Sequence, residues 1–358
     1  MTACLTGGDA IGNYIDMLRP AFAQRYEVAV FADRGTRDRF YLPSHAYVPT
    51  AEDILWFHYS IYSENFACLT PHGPDFKIMD FHGVCPPTHF SDDEGEMKRL
   101  TARALRELPD YRDVFDLCIA HSDYSARVLH EAGYQQIVKT PLAIGRALAD
   151  AGEDPFLADH LSRLEYLLFV GRVVAQKDVL GAIELFARVR KRRPPLKLWI
   201  VGDRSASPEY QRQIGEALAR LKIERHVGFT GRLSNPRLLK PYFTYARLLL
   251  MFSHWESFCV PVVEAMGFGV PTVTTEKTCL PETMGGTGLV VDRADPDGAA
   301  VKVGALLADD ERYGELQRRC RMRAPVFTES AMVTKLLEVE REHFPKGGTL
   351  NDEGGTLN

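Results

Sequence analysis

The feature that most constrains this chain is an alternation that runs along most of its length. Short apolar runs occur at 28–32, 54–58, 76–81, 117–120, 167–170, 196–201, 227–229, 248–252, 271–275 and 289–292. Each has the length and composition of a buried strand. Helical patterns fill many of the gaps, among them 13–24, 97–108, 122–132, 178–191, 208–221 and 299–307. Strands that alternate with helices imply parallel sheets covered on both faces, so the expected fold class is α/β. Two such series occur, and the stretch 144–164 between them reads as a linker with short helical pieces. A chain of 358 residues is long enough for two cores. The expected organisation is a doubly wound domain over 1–150 and a second over 151–330. A helix over 331–345 is expected to pack back on the first domain. The tail 346–358, in which GGTLN occurs twice, is expected to be disordered. Ligands of such open sheets sit beyond the carboxyl ends of the strands, so two of these domains facing each other make a central cleft. Only residues 1–5 precede the first glycines, so the first strand is expected to be short or clipped.

Composition removes several function classes. A net charge of −5 argues against a nucleic-acid binder. The seven cysteines are odd in number and contain no C-x-x-C, which argues for a reducing compartment and against a zinc site. No apolar run approaches the roughly 18–20 residues needed to span a bilayer, and no secretory signal opens the chain. A cytoplasmic location is expected. Lys98, Arg99, Arg103 and Arg106 on 97–108 read as a solvated face, with peripheral docking at the inner face of the membrane as the alternative. Asp295-Pro296-Asp297 reads as a helix cap rather than a metal site, and Ser91-Asp92-Asp93 is discounted as one too. No essential metal and no cofactor are expected.

The densest chemistry lies in HWESFCVPVVEAMGFGVP, residues 254–271. Pro261 suits the first turn of a short helix, and Gly267 and Gly269 suit its end. Glu264 is expected in the first turn and Glu256 on the loop that leads in. Helix amino ends attract anions, so amides near Phe258, Cys259 and Val260 suit a phosphate. Two carboxylates beside a phosphate make sense when they face hydroxyls. Gly171-Arg172 follows the strand 167–170, and Lys177 stands five residues beyond Arg172. An arginine fork and a lysine point charge suit a diphosphate. In the first half, GGDAIGN (7–13) is a glycine-rich turn entering a helix. Asn13-Tyr14 stands where a nucleotide-hydrolysing phosphate loop needs Lys-Ser/Thr. His58 and His82 each close a strand (ILWFH, IMDFH), at the end where ligands collect.

Together these residues resemble the retaining GT-B glycosyltransferases of family 4, of the surface-polysaccharide type. The resemblance rests on FVGRVVAQK, LWIVGD, VGFTGRLS, SHWESFCVPVVEAMGFGVPTV and LPETMGGTGLVVD, which occur in the family's order. It extends more loosely to GGDAIGNY, His82 and IAHSDYSARVL. It implies two Rossmann-like domains facing a cleft. It also implies that Arg172 and Lys177 hold a donor diphosphate and that Glu264 holds the ribose. Glu256, with the amides of Phe258, Cys259 and Val260, would hold the transferred sugar. His82 would contact that sugar, and Gly231, Arg232 and Leu233 would border the base. Gly8, Asp9 and His58 fall on the acceptor or phosphate side. The family often carries glycine where this chain has Cys259.

The implied reaction is retaining transfer of a hexose from a nucleoside-diphosphate sugar, GDP-mannose or a UDP-hexose, to a saccharide or lipid-linked saccharide hydroxyl. It would need no metal. No carboxylate nucleophile emerges from the sequence, which favours same-face attack by the acceptor. A nucleotide-sugar epimerase of the same fold, or a degenerate non-catalytic partner of an active transferase, are the alternatives.

Overall fold

The computed structural model describes residues 1–5, 10–36 and 40–345. The chain divides into two compact units. The first comprises Met1–Val84, Arg103–Pro141 and the segment from Glu329 onward, and the second comprises Cys85–Ala102 and Leu142–Thr328.

In the first unit, β1 (Thr2–Leu5), β2 (Phe31–Gly35) and β3 (Leu42–Pro43) form one parallel sheet in that order. A second parallel sheet follows the order β4 (Ile54–Tyr59), β5 (Phe76–Phe81), β6 (Leu117–Ala120) and β7 (Ile137–Lys139). Met1 links them, since its carbonyl accepts from the His58 amide at 2.9 Å. The strands thus run in the order β3-β2-β1-β4-β5-β6-β7, doubly wound with the reversal at β1 and β4. The first strand has four residues and is short, as its sequence suggested. The second lies at 31–35 rather than 28–32, because Arg34 and Gly35 pair with β1 while Val28 to Val30 precede the ladder. The helix Ala10–Phe22 begins three residues earlier than its apolar pattern. The core of this unit gathers Phe57, Tyr59, Met79, Phe81, Cys118 and Ala120 from the central strands. The helix Glu329–His343 belongs to the same unit. Glu340 accepts hydrogen bonds there from Arg25 and Tyr26, and Phe344 packs on Phe22, Trp56 and Phe76.

In the second unit six strands form one parallel sheet. They are β8 (Tyr166–Val170), β9 (Lys197–Val201), β10 (Val227–Gly231), β11 (Leu248–Met251), β12 (Thr272–Thr274) and β13 (Gly288–Val290). Their order is β10-β9-β8-β11-β12-β13. The chain winds outward from β8 on one side and from β11 on the other, so the switch point lies between these two neighbours. Phe169, Leu168, Leu249 and Leu250 are fully buried there, and the helix Val179–Arg192 lays Ile183 and Phe186 on the sheet.

Two parts of the chain join this unit against the boundary at 150. The stretch 144–164 is packed structure rather than a linker. Its helices Arg146–Asp150 and Pro155–Ser162 place Leu148 and Leu161 in the core, and Lys240 Nζ donates to the carbonyls of Ala149 and Ala151. The segment Cys85–Ala102 belongs here because Asp93 accepts from the Ser207 hydroxyl and His89 stacks on His254. Asp295 caps the helix Pro296–Ala308 by accepting from the Gly298 amide, and Ser91 forms a capping box with Glu94. No described helix is long and apolar enough to cross a membrane.

Candidate active site

The two loops at the switch point carry the second unit's polar cluster. The first follows β8. Gly171 donates its amide to Val201, and Gly202 approaches so closely that a side-chain carbon there would lie 1.7 Å from the Gly171 carbonyl oxygen. Only glycine permits that approach. It draws the loop back over the sheet and leaves Arg172 exposed, with no side-chain partner among the described residues. A 3-10 turn over Ala175–Lys177 follows, and Asp178 adopts the left-handed conformation to cap the next helix. Arg293 holds the Asp178 carboxylate at 2.6 Å.

The second loop follows β11. It is tied to the first by Gln176, whose Nε2 donates to the Trp255 carbonyl at 3.1 Å and whose backbone carbonyl accepts from the His254 amide at 2.8 Å. Gln176 is buried, so both bonds are shielded from water. They place Lys177 against Glu256, with Nζ donating to Oε1 at 2.6 Å. The Ser253 hydroxyl donates to the same oxygen at 2.7 Å, and the Glu256 amide donates to the Thr278 hydroxyl at 3.1 Å. Oε2 of Glu256 accepts no hydrogen bond among the described residues. A buried carboxylate is thus neutralised on one oxygen and open on the other. That removes the repulsion expected between Glu256 and a phosphate.

The helix that follows spans Val260–Gly267, with Pro261 in its first turn. Glu264 lies in the second turn rather than the first, because the helix starts only at Val260. It is partly exposed, no partner holds its carboxylate among the described residues, and burial pushes its pKa up to about 7. Cys259 precedes the helix at φ +74°, a left-handed conformation that favours glycine. The amides of Phe258, Cys259 and Val260 find no acceptor among the described residues and crown the helix amino end. Gly231 ends β10 at φ +71°, followed by exposed Arg232 and by Leu233 packed against the core. The candidate donor-binding residues of the second unit therefore gather at the ends of β8, β10 and β11.

In the first unit His58 lies in β4 and His82 just beyond β5, and their rings meet at 2.9 Å (Nδ1 to Nε2). Asp80, His121, Trp56 and Tyr14 complete a cluster that sequence reasoning missed. The signal was present: β6 too is followed by a histidine (LCIAH), and Asp80 precedes His82 by two residues, the spacing of one strand face. Gln176, Ser253 and Thr278 were also missed, since nothing in their local patterns marks them. Gly8 and Asp9 lie outside the described residues.

Solved structures with the same architecture include a sucrose-phosphate synthase of Thermosynechococcus elongatus. It has a TM-score of 0.74 at 18% identity, with 96% of this chain and 99% of that one covered. HepE of Anabaena, solved in complex with UDP-glucose, has a TM-score of 0.72 at 16% identity, with 96% and 100% covered. The fold is therefore that of the GT-B class, with two Rossmann-like units. Residues 156–325 match the model of the family Glycosyl transferases group 1. The O-antigen chain mannosyltransferase B of Escherichia coli is 29% identical over 268 residues, 70% of this chain and 66% of that protein. A lipopolysaccharide 1,2-N-acetylglucosaminetransferase of Salmonella typhimurium is 30% identical over 156 residues, 41% of this chain and 40% of that one. The chain spans less than two thirds of the length of these curated relatives.

Proposed function

We propose that this protein is a retaining glycosyltransferase that moves a hexose from a nucleoside-diphosphate sugar to a saccharide or lipid-linked saccharide hydroxyl in surface-polysaccharide synthesis. The observation that carries the reading is the Lys177–Glu256 pair beside three open amides and the unpartnered Arg172. Arg172, Lys177 and the helix end supply positive potential where a diphosphate gathers charge as the anomeric C–O bond breaks. Open Oε2 of Glu256 suits a hydroxyl of the transferred sugar, and Glu264 suits the ribose. Gly231 to Leu233 border the base, and His82 contacts the sugar. Because fixed cations do the stabilising, the chemistry needs no divalent metal. The leaving phosphate takes the proton of the acceptor hydroxyl, which attacks from the same face.

The relatives in lipopolysaccharide and O-antigen synthesis support a saccharide acceptor. Work on such acceptors suits a protein at the cytoplasmic face of a membrane. The test is a panel of UDP- and GDP-linked hexoses in EDTA, read by thermal shift and by slow nucleotide release. One donor should stabilise the protein, and Arg172→Ala should abolish that effect. A response only with added Mg²⁺ or Mn²⁺ would overturn metal independence, and no response to any donor would favour a non-catalytic partner.

A further inference from the structure

Three neighbouring strands of the first unit each deliver a histidine at the carboxyl end, and Asp80 lies among them. Its carboxylate is fully buried. Oδ2 accepts from Trp56 Nε1 at 2.8 Å, and Oδ1 lies 2.7 Å from His121 Nε2. The other ring nitrogen of His121, Nδ1, lies 2.8 Å from the carbonyl oxygen of Thr140. Both partners of His121 only accept. With Asp80 ionised, this geometry places a hydrogen on each nitrogen of His121 and pairs the ring with the carboxylate. The hydrogen bond from His121 helps hold the Asp80 carboxyl below the usual range despite its burial.

His58 and His82 remain. Their 2.9 Å nitrogen–nitrogen contact has room for one hydrogen: two would collide, and two lone pairs would repel. Burial lowers the pKa of both, that of His82 to about 4, so neither ring takes a second proton near neutrality. The Tyr14 ring stands edge-on to all three imidazoles, with centroids 5.5–5.9 Å away. His82 is the most exposed of the four, at 7% of its side chain, and its Nδ1 has no partner among the described residues.

We propose that Asp80, His121 and His58 are positioning residues that lock His82 as a neutral ring, held through Nε2, with Nδ1 left to bind a hydroxyl of the transferred sugar. The proposal rests on the reading of His82 as a sugar contact. A neutral ring matters physically. Breaking the anomeric bond builds positive charge on the sugar, and an imidazolium alongside would oppose it, whereas a neutral nitrogen orients the hydroxyl at no such cost. The Asp80–His121 pair cancels its own charge and leaves only the orientation.

The test uses the full chain labelled with ¹⁵N-histidine and long-range ¹H–¹⁵N spectra at pH 7.5. Resonances are assigned with His58→Gln, His82→Ala and His121→Gln. His121 should show two protonated nitrogens, and His58 and His82 one each. Kinetics then use the donor that responds in the panel. His82→Ala and Asp80→Asn should both lower kcat, Asp80→Asn by about 10- to 100-fold with KM for the donor nearly unchanged, as expected for misplacement of a contact group. A neutral His121 in the wild-type protein overturns the network without need of any variant. Wild-type kcat in Asp80→Asn beside an impaired His82→Ala overturns the positioning role alone. Full activity in His82→Ala overturns the sugar contact, and the positioning role with it.

Discussion

At the strand ends of the first unit Asp80 and the histidines bond one another, although the buried hydroxyl of neighbouring Tyr14 has no hydrogen-bond partner among the described residues. At those of the second the polar groups are left open. Asp80 has both oxygens occupied, His121 both nitrogens, and His58 and His82 share one hydrogen. Around β8 and β11, by contrast, Arg172 has no partner among the described residues, Glu256 has one free oxygen, and three amides and Glu264 wait for acceptors or donors. The difference teaches how two like folds divide the work. An open cluster suits a charged ligand that would supply the missing partners. A closed cluster holds one exposed group in one state.

The comparison predicts opposite costs for mutation. Asp80→Ala leaves the buried Trp56 Nε1 and His121 Nε2 without their acceptor and should destabilise the protein by about 3–5 kcal/mol, measured by urea unfolding. A loss under about 1 kcal/mol would break the picture of a closed cluster. Arg172→Ala and Glu256→Ala should each lower transfer by about 100-fold or more, the scale of one preorganised charge contact. Arg172→Ala should leave the melting temperature unchanged, because the wild-type side chain is exposed and unpartnered. Near-normal turnover in either variant would remove the site from the second unit.

The units should also respond to pH in opposite senses. The pKa of His82 is lowered to about 4 on folding, so the unfolded chain binds more protons between that value and its ordinary 6.5. Its contribution to stability is full above about 6.5 and is lost as pH falls toward 4. The pKa of Glu264 is raised from 4.5 to about 7, so the folded chain holds the proton longer. The neutral form favours folding below about 4.5, and that contribution is lost as pH rises through 7. Hydrogen exchange followed by peptide mass analysis from pH 4.5 to 8 should therefore show protection rising with pH around β4–β6 and falling around Val260–Gly267. Donor affinity should rise as Glu264 ionises through about 7, and Glu264→Gln should flatten that rise.

The smallest expected effect concerns Cys259. Relief of the left-handed backbone, about 1–2 kcal/mol for a side-chain-bearing residue, should offset loss of the buried thiol in Cys259→Gly. That variant should stay within about 1 kcal/mol of wild type by urea midpoint. Cys259→Val, with a branched side chain at the same φ, should cost more. Equal stability of the two would show that backbone strain does not govern this position.

Much of the second unit's site was legible in the order of its residues. Gly171, Arg172, Lys177, Glu256 and Glu264 lie in two contiguous stretches, each following an apolar run, so periodicity alone placed them at strand ends. Pro261 and Gly269 likewise marked the short helix between β11 and β12. Pattern is silent on other points. Local period does not tell a linker from a packed segment, and 144–164 became part of a core because Leu148 and Leu161 found apolar partners far along the chain.

The sequence by itself determined the alternation of strands and helices, the two series and the residues that end the strands. Backbone periodicity and the chemistry of proline and glycine are local properties. Only the tertiary structure decided that β8 lies beside β11, which brings Lys177 to Glu256 across a gap of 79 residues, and that Asp80 meets His121 across 41. Strand order and the closing of buried hydrogen bonds depend on which distant groups satisfy one another once water is excluded, and no local pattern carries that information.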